Sequence, residues 1–308
     1  MFEFVFLGTS ASAPSIHRGL SAHVVLHREH RFLIDCGEGT QRQILRSGLG
    51  FKRLDKILIT HGHLDHILGL GGLVSTFTRW EAMDEIEIWA GKHALQRIRD
   101  LVFGVVMRAD PESMRIELKE IEPGILMDTK TFTLSALPVS HRGADCFGFV
   151  FQEKSHRPFL VEKAEALSVP AGPVRHELVQ GNSITLADGR TISPEEVLDE
   201  EIKGARLVHI GDAGRTSDLL EACDGADALV IEATYLDNER DLARRFGHLT
   251  ATQAAELARE AGVGALYLTH ISRRYRERDV IAEAREVFPE AHVARDLDQF
   301  LVKRSEAV

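Results

Sequence analysis

Three histidines and an aspartate fall within six residues, in the pattern His-x-His-x-Asp-His: His61, His63, Asp65 and His66. They follow the apolar run 57–59, which predicts a short buried strand. The apolar positions after them are spaced as on one face of a helix. Imidazole nitrogens and carboxylate oxygens are zinc ligands, and four are more than one catalytic zinc takes from protein. The pattern therefore favours a metal site at a strand-to-helix turn over a surface cluster of hydrogen-bonded histidines.

Three further polar residues follow predicted strands elsewhere in the chain. His141 comes after residues 137–140, Asp212 after residues 208–211, and His270 after residues 266–269. Alone, each is equally consistent with a strand-end residue that makes a local hydrogen bond. Because α/β sites form where strands end at one edge of a sheet, we expect these residues to converge. With the first four they provide five imidazoles and two carboxylates, a full set for a binuclear metal centre.

Composition indicates an acidic cytoplasmic protein. The 308 residues are 44% hydrophobic, enough for one large domain or two small ones, and the formal net charge is −10. That charge argues against a surface covered in nucleic-acid-binding residues but allows a local basic region. The three cysteines are far apart and lack a CxxC pair, so we expect free thiols and no thiolate zinc site. Neither a signal peptide nor a membrane-spanning run is evident.

Strands and helices alternate along most of the chain, which predicts an α/β fold. We expect two sheets sandwiched between outer helices. A single helix is expected after the histidine motif, on the pattern Ile67, Leu68, Leu70 and Leu73. Helix starts are indicated at Ser193, where a capping box is followed by a proline, and at Thr250, which pairs with a glutamine three residues later. We expect one domain over residues 1–308.

Residues 154–192 differ in composition and periodicity from the rest of that domain. Four of the nine prolines lie between Pro158 and Pro194, and core-forming periodicity is weak. Between residues 154 and 190 there are five Lys/Arg and four Asp/Glu, whereas the rest of the chain is strongly acidic. We therefore expect an inserted arm over residues 154–192, projecting from the domain surface. A solvated insertion without a partner is the alternative.

These motifs together resemble the tRNase Z (RNase Z) family of the metallo-β-lactamase superfamily, over nearly the whole chain. The resemblance includes the opening at residues 6–11, the glycine-rich run 69–72 and the segment 138–141. It continues through residues 231–235, 247–250 and 269–275, and the arm matches the family's flexible arm in 172–173 and 186–191. Two departures are Ala213-Gly214 in place of the usual Thr before Arg215, and Gly19 where an asparagine is common.

The resemblance implies an αβ/βα sandwich with a binuclear zinc centre, which manganese or iron would also suit. In the family's pattern His61, His63 and His141 hold one ion, Asp65, His66 and His270 hold the other, and Asp212 bridges them with a water. Two such ions acidify the water and neutralise charge on the attacked phosphate. A histidine outside the metal ligands would protonate the leaving oxygen. His248 matches this role, with Glu232 raising its pKa and Asp65 able to accept a proton from the water.

For such an enzyme the substrate is precursor tRNA, cut to leave a tRNA 3′-hydroxyl and a trailer with a 5′-phosphate. The arm would hold the tRNA elbow by shape and charge. The family assembles as a homodimer in which one subunit's arm presents tRNA to the other's site. The residues that we expect to contact the RNA are Lys154, Arg157, Lys163, Gly172, Pro173 and Arg175 in the arm, and Arg273 and Arg274 beside His270.

Other functions remain open on the same fold. A small-molecule phosphodiesterase, lactonase, thioesterase or RNA exonuclease would share the metal ligands but would not need the basic arm. A di-iron oxygen or nitric-oxide reductase carries a glutamate in the first motif and a flavin domain, whereas here His63 is present and no length remains for that domain. A catalytically inactive RNA-binding relative is disfavoured because all seven ligands are present.

Overall fold

The first strand alternates its side chains between two hydrophobic layers. In β1 (Phe2–Gly8), Phe2, Phe4 and Phe6 face a core between two sheets, whereas Val5 and Leu7 face a core on the outer side. This period of two is the pattern of a strand that is buried on both faces. The computed structural model describes residues 1–80, 83–108 and 114–304, and its architecture repeats this two-sided burial in both large sheets.

The first large sheet has seven strands in the order β16-β1-β2-β3-β4-β5-β6. Its central strands β3, β4 and β5 are parallel to each other, so their carboxyl ends meet at one edge. The strands are β1 and then β2 (Ala22–His27), β3 (His30–Ile34), β4 (Lys56–Leu58), β5 (Glu85–Ala90), β6 (Arg115–Glu120) and β16 (Gln299–Val302).

The second large sheet also has seven strands, in the order β15-β14-β13-β12-β9-β8-β7. Strands β12, β13 and β14 run parallel, and β9 pairs with β12 in the antiparallel sense. The strands are β7 (Gly124–Asp128), β8 (Phe132–Pro138), β9 (Phe147–Glu153), β12 (Arg206–His209), β13 (Ala228–Glu232), β14 (Ala265–Thr269) and β15 (Ala291–Val293).

Helices cover the outer face of each sheet and complete four layers. One hydrophobic cluster lies between the first sheet and its helices, another between the second sheet and its helices, and a phenylalanine-rich cluster lies between the sheets. The predicted α/β sandwich is confirmed. The helices are α1 (Thr40–Arg46), α2 (Leu64–Ile67), α3 (Leu70–Trp80), α4 (Lys92–Leu101), α8 (Leu220–Cys223), α9 (Arg240–Phe246), α10 (Ala251–Glu260) and α11 (Glu277–Val287).

The single helix predicted after the histidine motif is in fact two, α2 and α3, separated at Gly69. A Cβ on Gly69 would lie 2.0 Å from the carbonyl oxygen of Gly37, and the Gly69 N–H donates to the Cys36 carbonyl at 2.8 Å. The backbone of the preceding turn thus occupies the space that a side chain would need. The amphipathic pattern predicted the buried face correctly but did not show this break.

The described chain divides into two compact units, a main unit of Met1–Gln152 with Ala205–Val308 and an inserted unit of Glu153–Gly204. The inserted unit has its own cluster of six buried side chains, which its sequence did not indicate because its elements are too short to show periodicity. Its capping box at Ser193 with Pro194 at the first helical position is as predicted. Its elements are α5 (Val161–Ala166), α6 (Pro173–Val179), α7 (Pro194–Val197), β10 (Ile184–Thr185) and β11 (Thr191–Ile192).

The remaining predictions from composition concern the thiols and the membrane. Cys36, Cys146 and Cys223 are free and buried, and burial raises the pKa of each thiol. Among the described residues, no helix has the length and apolar character needed to cross a bilayer. The capping box at Thr250 is also confirmed, with its side chain accepting from the Gln253 N–H.

Candidate metal centre

The predicted metal ligands follow the carboxyl ends of four strands and meet at one edge of the two sheets. His61 and His63 lie in the loop after β4, and Asp65 and His66 lie in α2. The other three ligands each follow a different strand of the second sheet: His141 follows β8, Asp212 follows β12 and His270 follows β14. Strand order in both sheets therefore brings together residues more than two hundred positions apart.

One group of four ligand atoms surrounds a first point. His61 Nε2 lies 2.9 Å from His63 Nδ1, which lies 3.4 Å from His141 Nε2. Asp212 Oδ2 lies 3.7 Å from both His61 Nε2 and His141 Nε2. Because the four atoms all face one another, they enclose a common position.

A second group shares Asp212 through its other oxygen. Asp212 Oδ1 lies 3.5 Å from His66 Nε2 and 3.3 Å from His270 Nε2. Asp65 Oδ2 lies 3.8 Å from His66 Nε2 and 3.5 Å from His270 Nε2. The two oxygens of Asp212 thus face different groups, which is the geometry of a bridging carboxylate.

These separations fit divalent metal ions. Ligand atoms that share a tetrahedral ion at about 2.0–2.1 Å lie roughly 3.3–3.4 Å apart, close to most of the distances above. In addition, His66 Nε2, His270 Nε2 and Asp212 Oδ1 are buried without a hydrogen-bond partner. Buried polar atoms without partners are costly, and all three of these face the same position. Divalent metal binding accounts for both observations.

Electrostatics keeps the side chains of the first group in the protonation states that bind metal. Burial lowers the pKa of His61, His63 and His141, and for His61 the neighbouring His66 adds to this effect. Burial would raise the pKa of Asp212, but His270 and His66 outweigh it and hold that pKa well below its usual range. Neutral imidazoles beside an ionised carboxylate are the protonation states that a metal ion requires.

Each of four ligand imidazoles has its second nitrogen held by a neighbouring group, so that Nε2 faces the centre. Such contacts fix ring orientation and tautomer in metal sites. The pairs are His61 Nδ1 with Thr60 Oγ1 at 3.1 Å, His66 Nδ1 with Asp35 Oδ2 at 2.7 Å, His141 Nδ1 with the Gly247 carbonyl at 2.6 Å, and His270 Nδ1 with Thr234 Oγ1 at 2.9 Å.

Asp35 is a functional residue that the sequence patterns did not indicate. Its fully buried carboxylate accepts from the Thr60 N–H at 2.8 Å, from the Thr60 hydroxyl and from His66 Nδ1. Asp35 adopts a left-handed φ of 59°, which aspartate tolerates better than most residues. The available signal was its position directly after β3, because positions after strands also singled out the metal ligands His141, Asp212 and His270.

His248 and Glu232 lie together at the edge of the centre. Glu232 is the last residue of β13 and fully buried, and it accepts from His248 Nδ1 at 3.0 Å and from the Ala213 N–H at 2.7 Å. The Thr234 hydroxyl also donates to it. The His248 ring lies 5.0 Å from the His141 ring and 5.5 Å from the His270 ring, between centroids. His248 Nδ1 is therefore engaged by the Glu232 carboxylate.

The Glu232 carboxylate favours the charged form of His248. Burial alone would lower the pKa of His248, but the charge of Glu232 and its hydrogen bond outweigh burial and raise that pKa to about 9. His248 can thus hold a proton at neutral pH. Asp65 differs, because His270 and His66 outweigh burial and lower the pKa of its carboxyl. Its Oδ2 also accepts from the Ser12 N–H at 3.0 Å.

The two arginines expected to contact RNA beside His270 differ in their surroundings. Arg274 is exposed and forms an ion pair with Glu239, whereas the exposed Arg273 forms none among the described residues. Arg215, at the departure from the family pattern, pairs with Asp218 at 3.1 Å. The carboxylate neighbours reduce the charge that Arg274 and Arg215 offer to a phosphate.

The arm residues singled out from the sequence all lie in the inserted unit. Gly172 has a φ of 120°, which requires glycine, and Pro173 opens α6. Arg157 pairs with Glu195 at 3.6 Å, and Arg175 donates to the Val169 carbonyl and lies over the Phe159 ring. Lys154 and Lys163 are exposed. The whole unit carries six Lys/Arg and ten Asp/Glu, so its basic residues act against an acidic background.

Two family models match the chain. The model described as Anti-Pycsar protein Apyc1 matches residues 2–157, and the model of the beta-lactamase superfamily domain matches residues 161–271. Among solved structures, a metallo-beta-lactamase fold protein, YhfI, from Bacillus subtilis has a TM-score of 0.70 at 16% identity, covering 98% of this chain and 100% of that one. At that identity the likeness shows the fold.

Matches at higher sequence identity are to proteins that are named tRNase Z or Ribonuclease Z. Human tRNase Z, short form, has a TM-score of 0.66 at 27% identity, covering 98% of this chain and 99% of that one. A Ribonuclease Z of Bradyrhizobium diazoefficiens is 46% identical over 98% of this chain and 100% of its own length. One from Archaeoglobus fulgidus is 37% identical over 96% of each chain. The chain therefore belongs to the ribonuclease Z family of the metallo-β-lactamase superfamily.

Proposed function

We propose that this chain is a zinc-dependent endoribonuclease that removes the 3′ trailer from precursor tRNA. The observation that carries the proposal is the convergence of seven metal-ligand side chains beside a His248–Glu232 pair, in a chain of the ribonuclease Z family. Membership of that family makes the chain a hydrolytic endoribonuclease. The substrate, the metal and the roles of individual residues are parts of the proposal.

His61, His63 and His141 would hold one ion, Asp65, His66 and His270 the other, and Asp212 would contact both. Imidazole and carboxylate donors suit zinc, and manganese(II) and iron(II) accept the same set. Two divalent ions supply electrostatic neutralisation of the attacked phosphate and acidify a nearby water. Asp35, Thr60 and Thr234 position the imidazoles by contacting Nδ1, the ring nitrogen that faces away from the centre. The Gly247 carbonyl does the same.

The protein's own residues would manage the protons of the reaction. Water attacks phosphorus, and the bond between phosphorus and the ribose 3′-oxygen breaks. His248 donates its proton to that leaving oxygen, which becomes the 3′-hydroxyl of the tRNA. Glu232 holds His248 Nδ1 and stabilises its charged form. Asp65 accepts a proton from the attacking water, and the trailer leaves with a 5′-phosphate.

Substrate capture would depend on the arm over residues 154–192, because the metal centre contacts only the scissile region. Lys154, Arg157, Lys163 and Arg175 would contact the tRNA backbone, with Gly172 and Pro173 shaping the turn into α6. The acidic balance of the inserted unit supports recognition by a few local contacts and RNA shape, not by net charge. A homodimer, with the arm of one subunit serving the other's centre, and a cytoplasmic location complete the proposal.

The test uses purified, zinc-loaded protein and a precursor tRNA that lacks an encoded CCA. We expect a single cut after the tRNA body, a 3′-hydroxyl on the tRNA and a 5′-phosphate on the trailer, mapped at both product ends. Intact precursor alongside rapid hydrolysis of bis(p-nitrophenyl) phosphate would favour a small-molecule phosphodiesterase on the same fold. Stepwise removal of single nucleotides from the 3′ end would instead indicate an exonuclease.

A further inference from the structure

Two arginines and a phenylalanine lie together directly beside the metal centre and are not among its predicted ligands. The guanidinium carbons of Arg142 and Arg245 lie 5.7 Å and 5.8 Å from the centroid of the Phe246 ring. Both distances are within the range of cation–π interaction. We call these three residues the arginine–phenylalanine cluster.

The chain places this cluster next to the ligand His141 and to His248. Arg142 follows the ligand His141, and Phe246 ends α9, two residues before His248. Between them lies Gly247, with a φ of 69°, whose carbonyl accepts from His141 Nδ1. A Cβ on Gly247 would lie 2.8 Å from Arg142 Cγ, so the stem of Arg142 crosses the position where a side chain would be. The cluster is therefore held at the rim of the centre.

Among the described residues, both arginines of the cluster lack a carboxylate partner, as Arg273 does, whereas three other arginines near the centre have one. Arg215, Arg240 and Arg274 each form an ion pair with a carboxylate. In the part of the chain that the structure describes, Arg142 and Arg245 are exposed and neither forms an ion pair. In a chain of net charge −10, two unneutralised cations beside the metal ligands provide a local attraction for an anion.

The Phe246 ring adds a second kind of recognition. It is half-buried, and it belongs to none of the hydrophobic clusters formed by the described residues. Packing of the core therefore does not explain an aromatic residue at this position. An aromatic ring beside unpaired guanidinium groups is the combination that binds single-stranded nucleic acid, because bases stack on the ring and phosphates pair with the cations.

We propose that Arg142, Arg245 and Phe246 hold one unpaired nucleotide of the RNA next to the scissile phosphate. This inference rests on the proposed function and specifies a contact within it. The base stacks on Phe246 or on a guanidinium plane, and the backbone phosphate is contacted by the arginines. That nucleotide is either the last one of the tRNA or the first one of the trailer, since the two flank the same phosphate and share this chemistry.

The test combines protein variants with precursors that carry one abasic nucleotide on either side of the cut. For wild-type protein, removing the base that occupies the cluster should lower kcat/KM roughly tenfold, as expected for one stacked base. Phe246→Leu keeps the bulk of the side chain but not the aromatic face. This variant should show a similar fall in kcat/KM on intact RNA. On the precursor that lacks the bound base, the substitution should lower kcat/KM little further. The bound nucleotide is the one at which the loss from Phe246→Leu and the loss from removing the base are not additive.

Controls separate the cluster from folding and from the proposed function. Arg142→Ala should weaken cleavage of intact precursor and flatten its salt dependence, Arg142→Lys should restore part of both, and Arg259→Ala, an exposed arginine of α10, should change neither. Losses that add at both abasic positions, or wild-type rates that are the same on all three precursors, would overturn the inference. If wild-type protein leaves intact precursor uncut, the proposed function fails instead.

Discussion

At the residue scale, three ligand imidazoles, His66, His141 and His270, are held by partners that the chain supplies from other segments. Asp35 and Thr234 are the clearest cases, because each also joins a second functional residue: Asp35 accepts from Thr60, and Thr234 donates to Glu232. Asp212 divides its two oxygens between the two ligand groups. Small changes at these partners should therefore be visible in metal affinity before they are visible in folding.

His248→Ala removes the proposed proton donor. We expect normal metal content but a loss of turnover of about 10²–10⁴-fold on precursor tRNA, the range for a general acid. Turnover and metal content per chain should be measured on the same preparation. If the variant instead loses metal, His248 has a structural role in the centre. The neighbouring Arg244→Lys, which keeps the charge of an exposed residue of α9, controls for general disturbance of this loop.

Asp35→Asn keeps the shape at His66 and tolerates the left-handed backbone, but removes the negative charge. We expect metal affinity to fall about 10–100-fold, as is typical when the partner of a ligand histidine is changed. Competition with a chromophoric chelator measures this change directly. Ser21→Ala is the matched control, because the Ser21 hydroxyl lies 3.4 Å from the same carboxylate but contacts no ligand imidazole. Equal affinity in wild-type and Asp35→Asn proteins would contradict the positioning role.

At the element scale, the break between α2 and α3 decides where Asp65 and His66 lie. Gly69 lets the backbone approach the turn at Gly37, and the Cys36 N–H donates to the His66 carbonyl at 2.7 Å. The turn after β3 therefore supports the histidine motif from behind, and it also carries Asp35. An uninterrupted helix, which the apolar pattern indicated, would not make this contact.

Gly69→Ala should destabilise the fold by about 1–3 kcal/mol or more, because the added methyl meets backbone that cannot easily move. The thermal midpoint and the denaturant midpoint both report this loss. Gly104→Ala, in the helical segment Val102–Val106 that follows α4, is the matched control, since nothing lies within 4 Å of a Cβ at that position. It should be neutral or slightly stabilising, because alanine favours helical backbone. Equal midpoints for the two variants would show that the turn adapts to a side chain at residue 69.

At the scale of the whole molecule, the inserted unit enters and leaves the second sheet between two neighbouring strands. Strands β9 and β12 are antiparallel, and Gln152 pairs with Arg206 at the point where the insertion begins and ends. The sheet is therefore continuous without the insertion. This arrangement allows the proposed substrate-binding role of the unit to be tested without disturbing the metal centre.

Replacing residues 154–204 with Asn-Gly would join β9 and β12 by a tight hairpin turn. We expect this variant to keep its metal and to hydrolyse bis(p-nitrophenyl) phosphate, but to lose cleavage of precursor tRNA. Parallel assays of the two substrates, with metal content and thermal midpoint as controls, measure the outcome. A similar loss on both substrates would contradict a separate role in tRNA binding.

Sedimentation of wild-type protein would test the proposed homodimer.

Much of the fold and the ligand set could be predicted from local sequence. The spacing of His61, His63, Asp65 and His66 after an apolar run, and single polar residues after later strands, indicated the metal centre, because strand ends in α/β folds converge. The alternating Phe2, Phe4 and Phe6 fall on one face of β1 for the same local reason. These features depend on residues close together in the chain, where spacing alone sets direction.

Tertiary structure alone decided which groups stand behind the ligands and at the rim. Asp35 reaches His66 across 31 positions, Thr234 reaches His270 across 36, and Gly247 reaches His141 across 106. Arg142 and Phe246 likewise meet only because β8 and α9 end at the same edge. Such contacts depend on strand order, on backbone turns at glycine and on which ring nitrogen faces inward. They arise from packing between distant segments, which local periodicity and propensity do not encode.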